Sequence, residues 1–203
     1  MPDAFSPQDV RIQRKDRVYN GYFKIDRYTL KHPLYAGGEG EVTREVFARG
    51  QVGAVLPYDP VLDRVVLIEQ FRPGPYAAGS PCWLLETVAG ILEEDETPEQ
   101  LARREAMEEA GCEIADMEHV MHFFVSPGAS TEAVDLFCGR VDSEGVGGLH
   151  GLEDEGEDIR VIVVDRSTAL EWLQAGRIIN AKTIIALQWL ALNWQDLQRR
   201  WSH

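Results

Sequence analysis

The chain has 203 residues, of which 44% are hydrophobic, and it carries a formal net charge of −14 at pH 7. This hydrophobic content can build the core of one domain of ordinary size, or of a domain with an N-terminal extension. The negative charge excludes a broad nucleic-acid or anionic-membrane surface, because both need basic patches.

Short alternating stretches predict a small antiparallel sheet near the N-terminus. They cover residues 10–12, 22–28 and 43–47, and a glycine-rich turn at residues 37–40 precedes the last of them. We therefore expect residues 1–48 to form a β-rich segment ahead of a second domain over residues 49–203.

More apolar strands are predicted in the second domain, at residues 51–57, 65–70, 83–86, 122–125, 133–137 and 159–164. Helices are predicted at residues 97–110, after a cap at Ser167, and at residues 181–199. Mixed strands with one inserted helix and further helices behind them predict an α/β fold with α/β/α layers.

The predicted helix at 97–110 has clear end signals and an acidic face. Thr97 is a suitable N-cap, and Gly111 can end the helix in a left-handed conformation. Glu105, Glu108 and Glu109 have the spacing that places three carboxylates on one helix face. A solvated surface helix is one explanation. A site for a hard cation such as Mg²⁺, which prefers carboxylate oxygens, is the other.

The surrounding pattern resembles the Nudix box. Gly90 is followed after five residues by Glu96, and after seven more by residues 104–112, REAMEEAGC. The resemblance implies a Nudix α/β/α sandwich with a mixed sheet. It also implies a catalytic metal, Mg²⁺ with Mn²⁺ as a substitute, and a salt bridge between Arg104 and Glu96. The implied metal ligands are Glu105, Glu108, Glu109 and the backbone carbonyl of Ala89.

A second acidic segment lies at residues 145–158, GVGGLHGLEDEGED. A disordered acidic surface loop is one interpretation of its composition. Its second half also resembles the catalytic loop of bacterial ADP-ribose pyrophosphatases within the Nudix superfamily. That resemblance implies Glu155 as the general base and Glu157 as a carboxylate that approaches a metal, with the two roles open to exchange.

The same resemblance extends over residues 18–192 and implies a substrate side. It places Tyr22 against the adenine, Arg44 and Arg72 on phosphates or ribose, and Glu132 beside the substrate. Strand-edge charges and ordinary sheet packing are the alternatives for these residues. Residues 74–81, rich in glycine and proline, depart from the family pattern. Relatives of this type are homodimers with a swapped N-terminal sheet, so we expect the same assembly here.

The expected reaction is hydrolysis of ADP-ribose, a small nucleotide-sugar, to AMP and ribose 5-phosphate. Another nucleoside diphosphate sugar such as GDP-mannose is the alternative substrate, and a non-catalytic ADP-ribose sensor is the alternative from another class. With no signal peptide and no apolar run of membrane-spanning length in the sequence, we expect a cytoplasmic protein without nucleic-acid or membrane partners.

Overall fold

A computed structural model describes residues 5–152 and 156–201. The chain divides into two compact units. The first consists of Met1–Gln51 with Phe124–Ala133, and the second of Val52–Phe123 with Val134–His203.

The first unit contains a three-stranded antiparallel sheet. Its strands are β1 (Arg11–Asn20), β2 (Lys24–Pro33) and β3 (Glu39–Ala48), in the order β1-β2-β3. Gly37 and Gly38 lie between β2 and β3 with φ angles of 90° and 79°, which side chains with a Cβ rarely adopt. The predicted small antiparallel sheet is therefore confirmed, with strands longer than the sequence pattern indicated.

The second unit is built on a mixed sheet of eight strands. They are β4 (Val52–Asp59), β5 (Arg64–Phe71), β6 (Trp83–Glu86), β7 (Val88–Ile91), β8 (Met117–Phe124), β9 (Ala133–Arg140), β10 (Gly148–His150) and β11 (Ile159–Asp165). The main order is β10-β11-β5-β4-β9-β8, while β6 pairs with β5 and β7 with β4. Strand β4 is buried along its whole length and pairs in parallel with β9.

Four helices complete the second unit: α1 (Pro73–Ala77), α2 (Pro98–Ala110), α3 (Arg166–Gln174) and α4 (Ala181–Trp201). Side chains alternate along the strands, so central strands such as β4 and β5 contribute to two cores. Val55 and Val66 share one core with the alanine stripe of α2, which is Ala102, Ala106 and Ala110. The opposite core joins the sheet to α3 and α4 through residues including Leu56, Leu67, Ala169, Leu187 and Leu190. The predicted α/β/α arrangement is confirmed.

Two boundaries differ from the sequence-based expectation. Helix α3 begins at Arg166 with Asp165 as N-cap, so the predicted cap at Ser167 is wrong. Strand β8 begins at Met117, ahead of the predicted residue 122, because an edge strand accepts exposed polar side chains that hide the apolar pattern. Among the described helices, none has the length and apolar character needed to cross a membrane.

Candidate active site

Helix α2 carries the acidic face and has well-defined ends. The backbone N–H of Gln100 donates to Thr97 Oγ1 (3.2 Å), and the backbone N–H of Thr97 donates to Gln100 Oε1 (2.9 Å). This reciprocal capping box satisfies two helix-end donors. Gly111 follows the last turn with a φ of 62°, as the sequence pattern predicted. The ends therefore fix where the carboxylates of α2 project.

Two glutamates of α2, Glu105 and Glu109, face the backbone of β7. Glu109 is 3% exposed, and its Oε2 accepts a hydrogen bond from the N–H of Ala89 (3.1 Å). A Cβ at Gly90 would lie 1.9 Å from Oε1 of Glu105, so only glycine leaves room for this carboxylate. Glu108, on the same helix face, is partly buried. Helix α2 and residues 89–90 together form an acidic wall.

The electrostatics of this wall show a shortage of positive charge. Burial raises the pKa of Glu109 to about 8, and repulsion from Glu105 and Glu157 adds to the shift. Burial likewise raises the pKa of Glu105 to about 7, with further repulsion from Glu108 and Glu157. Carboxyl groups perturbed in this way mark functional sites in many proteins. A bound cation would remove both the desolvation and the repulsion.

Arg104 partly neutralises the acidic wall. Its Nε donates to Glu96 Oε1 (3.0 Å) and its Nη2 to Glu96 Oε2 (3.3 Å). Its Nη1 lies 2.9 Å from Glu108 Oε2 and 3.0 Å from Glu105 Oε1. The structure thus brings together the Arg104–Glu96 pair that the resemblance implied, and a bidentate guanidinium holds the loop before α2 to the helix.

The donor set fits a hard divalent cation, although the side chains do not surround one as they stand. Over residues 5–152 and 156–201, no three His, Cys, Asp or Glu side chains converge on a common point suited to an ion. Arg104 contacts the carboxylates of both Glu105 and Glu108. Clustered carboxylate oxygens are nevertheless the ligands that Mg²⁺ or Mn²⁺ prefers. Binding would need small rotations of these side chains.

Of the two carboxylates predicted in the acidic loop, Glu155 and Glu157, the structure describes one. Glu155 lies outside the described residues. Glu157 accepts a hydrogen bond from the N–H of Leu152 (3.3 Å), and its own N–H donates to the carbonyl of Leu152 (3.2 Å). The charge of Glu157 raises the pKa of both Glu105 and Glu109, so this carboxylate lies within electrostatic reach of the acidic wall.

Arg72 lies in the same unit and is anchored by a buried acid. Its Nε donates to Oε2 of Glu86 (2.8 Å), which is 2% exposed. Oε1 of Glu86 accepts from Nδ2 of Asn180 (2.6 Å). The charge of Arg72 opposes the burial that raises the pKa of Glu109, so this cation lies within electrostatic reach of the acidic wall. Sequence reasoning missed Glu86 and Asn180, and the only signal was a lone acid that ends the apolar strand WLLE.

The remaining predicted substrate residues belong to the first unit. Tyr22 is 89% exposed, and its ring meets Phe23 edge-on at 4.9 Å. Arg44 is exposed and donates from Nη1 to the carbonyl of Thr43 (2.8 Å). Glu132 lies 3.0 Å from Nε of Arg49, a residue that sequence reasoning missed.

Comparison with known proteins identifies the family. Residues 48–186 match the family model of the NUDIX domain. The chain belongs to the Nudix family. An Escherichia coli K12 protein named ADP-ribose pyrophosphatase is 46% identical over 203 residues, covering 100% of this chain and 97% of the relative. A Haemophilus influenzae protein of the same name is 45% identical, covering 98% of this chain and 93% of the relative.

Two further matches extend this comparison. A protein of Escherichia coli O1:K1 named GDP-mannose pyrophosphatase is 35% identical over 188 residues, covering 92% of this Nudix chain and 97% of the relative. A solved structure titled as an ADP compounds hydrolase superposes with a TM-score of 0.70 at 18% identity, covering 98% of this chain and 100% of that one. At that identity the structural match supports the fold alone.

The second unit of this Nudix protein can therefore combine two kinds of group. The acidic wall of Glu105, Glu108 and Glu109 offers ligands for a cation, and Arg72, held by Glu86, offers a positive charge within electrostatic reach of Glu109. A diphosphate needs this combination, because its oxygens carry negative charge that must be neutralised before water can attack phosphorus.

Proposed function

We propose that this Nudix protein is an ADP-ribose diphosphatase, which hydrolyses ADP-ribose with water to AMP and ribose 5-phosphate. The observation that carries the proposal is the acidic wall of α2, in which Glu109 is buried and accepts a hydrogen bond from the backbone of β7. The relatives named ADP-ribose pyrophosphatase, which match the full length of the chain at 46% identity, support the choice of substrate.

In this proposal Glu105, Glu108, Glu109 and the carbonyl of Ala89 hold Mg²⁺, or Mn²⁺ in its place. The chemistry supplied by such an ion is neutralisation of the diphosphate oxygens. Glu109 is fixed to the backbone of β7 through its bond to the Ala89 N–H. The Arg104–Glu96 pair keeps the loop before α2 in place.

Arg72 and the loop carboxylates have separate tasks in the proposal. Arg72, held by Glu86, binds phosphate or ribose oxygens through its remaining N–H groups. Glu155 accepts a proton from the attacking water as general base. Glu157, whose charge reaches the acidic wall, approaches the metal and is the alternative base.

Recognition of the adenosine part is proposed for the first unit. Tyr22, with its ring almost fully exposed, stacks on the adenine. Arg44 contacts phosphate or ribose, and Glu132 accepts a hydrogen bond from the substrate. The exposure of Tyr22 supports its assignment, since an aromatic side chain used only for sheet packing would be covered.

We also propose a cytoplasmic homodimer, with a swapped sheet over residues 1–48 and a Nudix hydrolase domain over residues 49–203. The first sheet exposes several large apolar side chains, including Ile12, Tyr19 and Tyr22, and such a patch is typical of an interface. The cysteines Cys82, Cys112 and Cys138 are free thiols, which fits a reducing compartment. Sedimentation and subcellular fractionation test these two points.

Purified protein incubated with ADP-ribose and Mg²⁺ tests the reaction. We expect release of AMP, and loss of at least about 100-fold in kcat for Glu109→Gln, because a lost metal ligand removes transition-state stabilisation. Glu99→Gln is the matched control, an exposed acid on the same helix that pairs with Arg103. Absence of AMP at every Mg²⁺ concentration and pH would refute the proposal.

A second substrate follows from one of the comparisons. The relative named GDP-mannose pyrophosphatase is 35% identical, so GDP-mannose is the alternative within the same reaction type. We expect kcat/KM for ADP-ribose to exceed that for GDP-mannose by at least about tenfold. The reverse order would transfer the assignment to GDP-mannose, and tight ADP-ribose binding without turnover would favour the sensor.

A further inference from the structure

The loop that carries Glu157 connects two paired strands of the second unit. His150, the last residue of β10, lies opposite Ile159, the first residue of β11. The chain leaves the sheet after His150 and returns to it at Ile159, so these two residues form the base of the loop. A contact that fixes this base therefore also fixes the point from which Glu157 projects.

Glu157 is held close to the loop base by backbone contacts. Gly151 has a φ of 103°, and a Cβ there would lie 2.7 Å from Cβ of Glu157, so a larger residue would push the two segments apart. The N–H of Leu152 donates to Oε2 of Glu157 (3.3 Å), and the N–H of Glu157 donates to the carbonyl of Leu152 (3.2 Å). The position of Glu157 therefore depends on that of His150, the neighbour of Gly151.

The ring of His150 lies against the C-terminal end of α2. A Cβ at Gly111 would lie 2.8 Å from Cε1 and 3.5 Å from Nε2 of His150, so the ring rests directly on the glycine that ends the helix. Nε2 of His150 lies 3.0 Å from the carbonyl oxygen of Gly147. A carbonyl oxygen only accepts, so Nε2 carries a hydrogen and donates it, which fixes the orientation of the ring. The ring thus joins the loop base to the helix that carries Glu105 and Glu109.

We propose that His150 is a positioning residue that sets the distance between Glu157 and the acidic wall of α2. The helix holds Glu109 against β7 and, through Gly111 and His150, it also holds the loop base. Glu157 lies within electrostatic reach of Glu105 and Glu109, so a shift of the base would move its charge relative to the proposed metal ligands. The inference rests on the proposed function, because that function gives Glu157 a task in turnover.

Steady-state kinetics separate the placement of Glu157 from substrate binding. In His150→Ala, kcat for ADP-ribose with Mg²⁺ should fall about tenfold, since a misplacement of about 1 Å can cost up to about 100-fold. KM should change less than about twofold, because His150 lies outside the proposed substrate contacts. His150→Gln should recover at least about threefold of the loss, since its side-chain N–H can reach the Gly147 carbonyl.

His119→Ala is the matched control for the loss of a histidine ring. His119 lies on β8, is half exposed and pairs with Asp135. This variant should keep the kcat and KM of the wild type. Circular dichroism checks that each variant is folded at the assay temperature. If His150→Ala is not, His150→Leu replaces it, because leucine covers Gly111 without donating a hydrogen bond.

The double variant His150→Ala/Glu157→Gln tests whether the effect passes through Glu157. Its kcat should lie within about twofold of that of Glu157→Gln alone, because the placement of a carboxylate has no effect once the carboxylate is removed. Full multiplication of the two single losses would show that His150 acts through another group, and it would overturn the inference.

Hydrogen–deuterium exchange of the metal-free protein gives a readout that does not depend on turnover. His150→Ala should speed exchange at least about fivefold at the amides of residues 148–152 and 157–161, because the loop base loses its contact with Gly111. The amides of β4 and β9 should exchange as in the wild type, and His119→Ala should leave the loop amides unchanged.

Unchanged kcat in His150→Ala, a loss confined to KM, or unchanged exchange at the loop amides would each overturn the inference. Release of AMP by the wild type decides the proposed function separately. A wild type that does not hydrolyse ADP-ribose refutes the diphosphatase, and the exchange data then still decide whether His150 fixes the position of Glu157.

Discussion

Removing the charge of Glu109 should stabilise the metal-free protein at neutral pH. The folded-state pKa of this carboxyl is raised to about 8, mainly because the side chain is buried. A carboxyl raised above its unfolded value binds more protons in the folded state. Its contribution to stability is therefore complete at acidic pH and is lost as the pH rises toward 8. Metal-free wild-type protein should become less stable from pH 5 to pH 8.

The magnitude follows from the same shift. Each pH unit between the unfolded-state pKa near 4.5 and the folded-state pKa lowers the free energy of unfolding by about 1.4 kcal/mol. The buried Glu109 carboxyl therefore costs the folded state about 3 kcal/mol at pH 7. For a chain of this length, that corresponds to a rise of roughly 6–12 °C in Tm for Glu109→Gln. The amide oxygen that this substitution introduces can still accept the hydrogen bond from the Ala89 N–H. The two proteins therefore differ at this position mainly in charge.

Thermal unfolding followed by circular dichroism in EDTA, between pH 5 and pH 8, measures this effect. The Tm difference between Glu109→Gln and the wild type should be small at pH 5 and grow toward pH 8, while Glu99→Gln follows the wild type. Added Mg²⁺ should raise the Tm of the wild type more than that of Glu109→Gln. The reasoning would be refuted if the Tm of Glu109→Gln and that of the wild type changed in parallel with pH, or if Glu109→Gln were less stable than the wild type at pH 7.

Three other substitutions have definite expected outcomes. Gly90→Ala places a Cβ 1.9 Å from Oε1 of Glu105 and so displaces this carboxylate. Mg²⁺-dependent turnover should fall at least about 100-fold while the circular dichroism spectrum stays native. Near-normal turnover would contradict the close approach of Glu105 to Gly90. Glu86→Gln leaves Arg72, which is 37% exposed, without its charge partner. Urea unfolding should show a free energy of unfolding lower by roughly 1–2 kcal/mol, whereas an unchanged midpoint would show that the pair is dispensable. Arg104→Met removes a charge that lowers the pKa of Glu105, so the Glu105 carboxyl should ionise at a higher pH. The pH at which Mg²⁺ binding is half-maximal should therefore rise. A fall in that pH would disprove the coupling.

Local features of this chain were predictable because their causes lie close together in the sequence. The start of α2 depends on Thr97 and Gln100, its end on Gly111, and its packing on a stripe of alanines. Each of these signals falls within a few residues of the structure it determines. Strand β10, by contrast, is a three-residue edge strand in a glycine-rich segment and has no periodicity to detect.

The missed site residues act through partners that are distant in the chain. Glu86 bonds Asn180, and Arg49 meets Glu132. A sequence shows no period that links such positions, since only the folded sheets bring them together. The residues inferred from the Nudix box could be predicted for a different reason, because their spacing, from Gly90 to Glu109, is itself the recognisable pattern.

The parallel pairing of β4 with β9 has a consequence for how the chain reaches its native state. Residue 52 lies opposite residue 134, so no hairpin can guide these two strands together. During synthesis, the edge of the fully buried β4 that pairs with β9 stays unpaired until β9 has left the ribosome. Completion of this sheet is therefore expected to be a late step of folding, and the waiting edge of β4 is where self-association of nascent chains would begin.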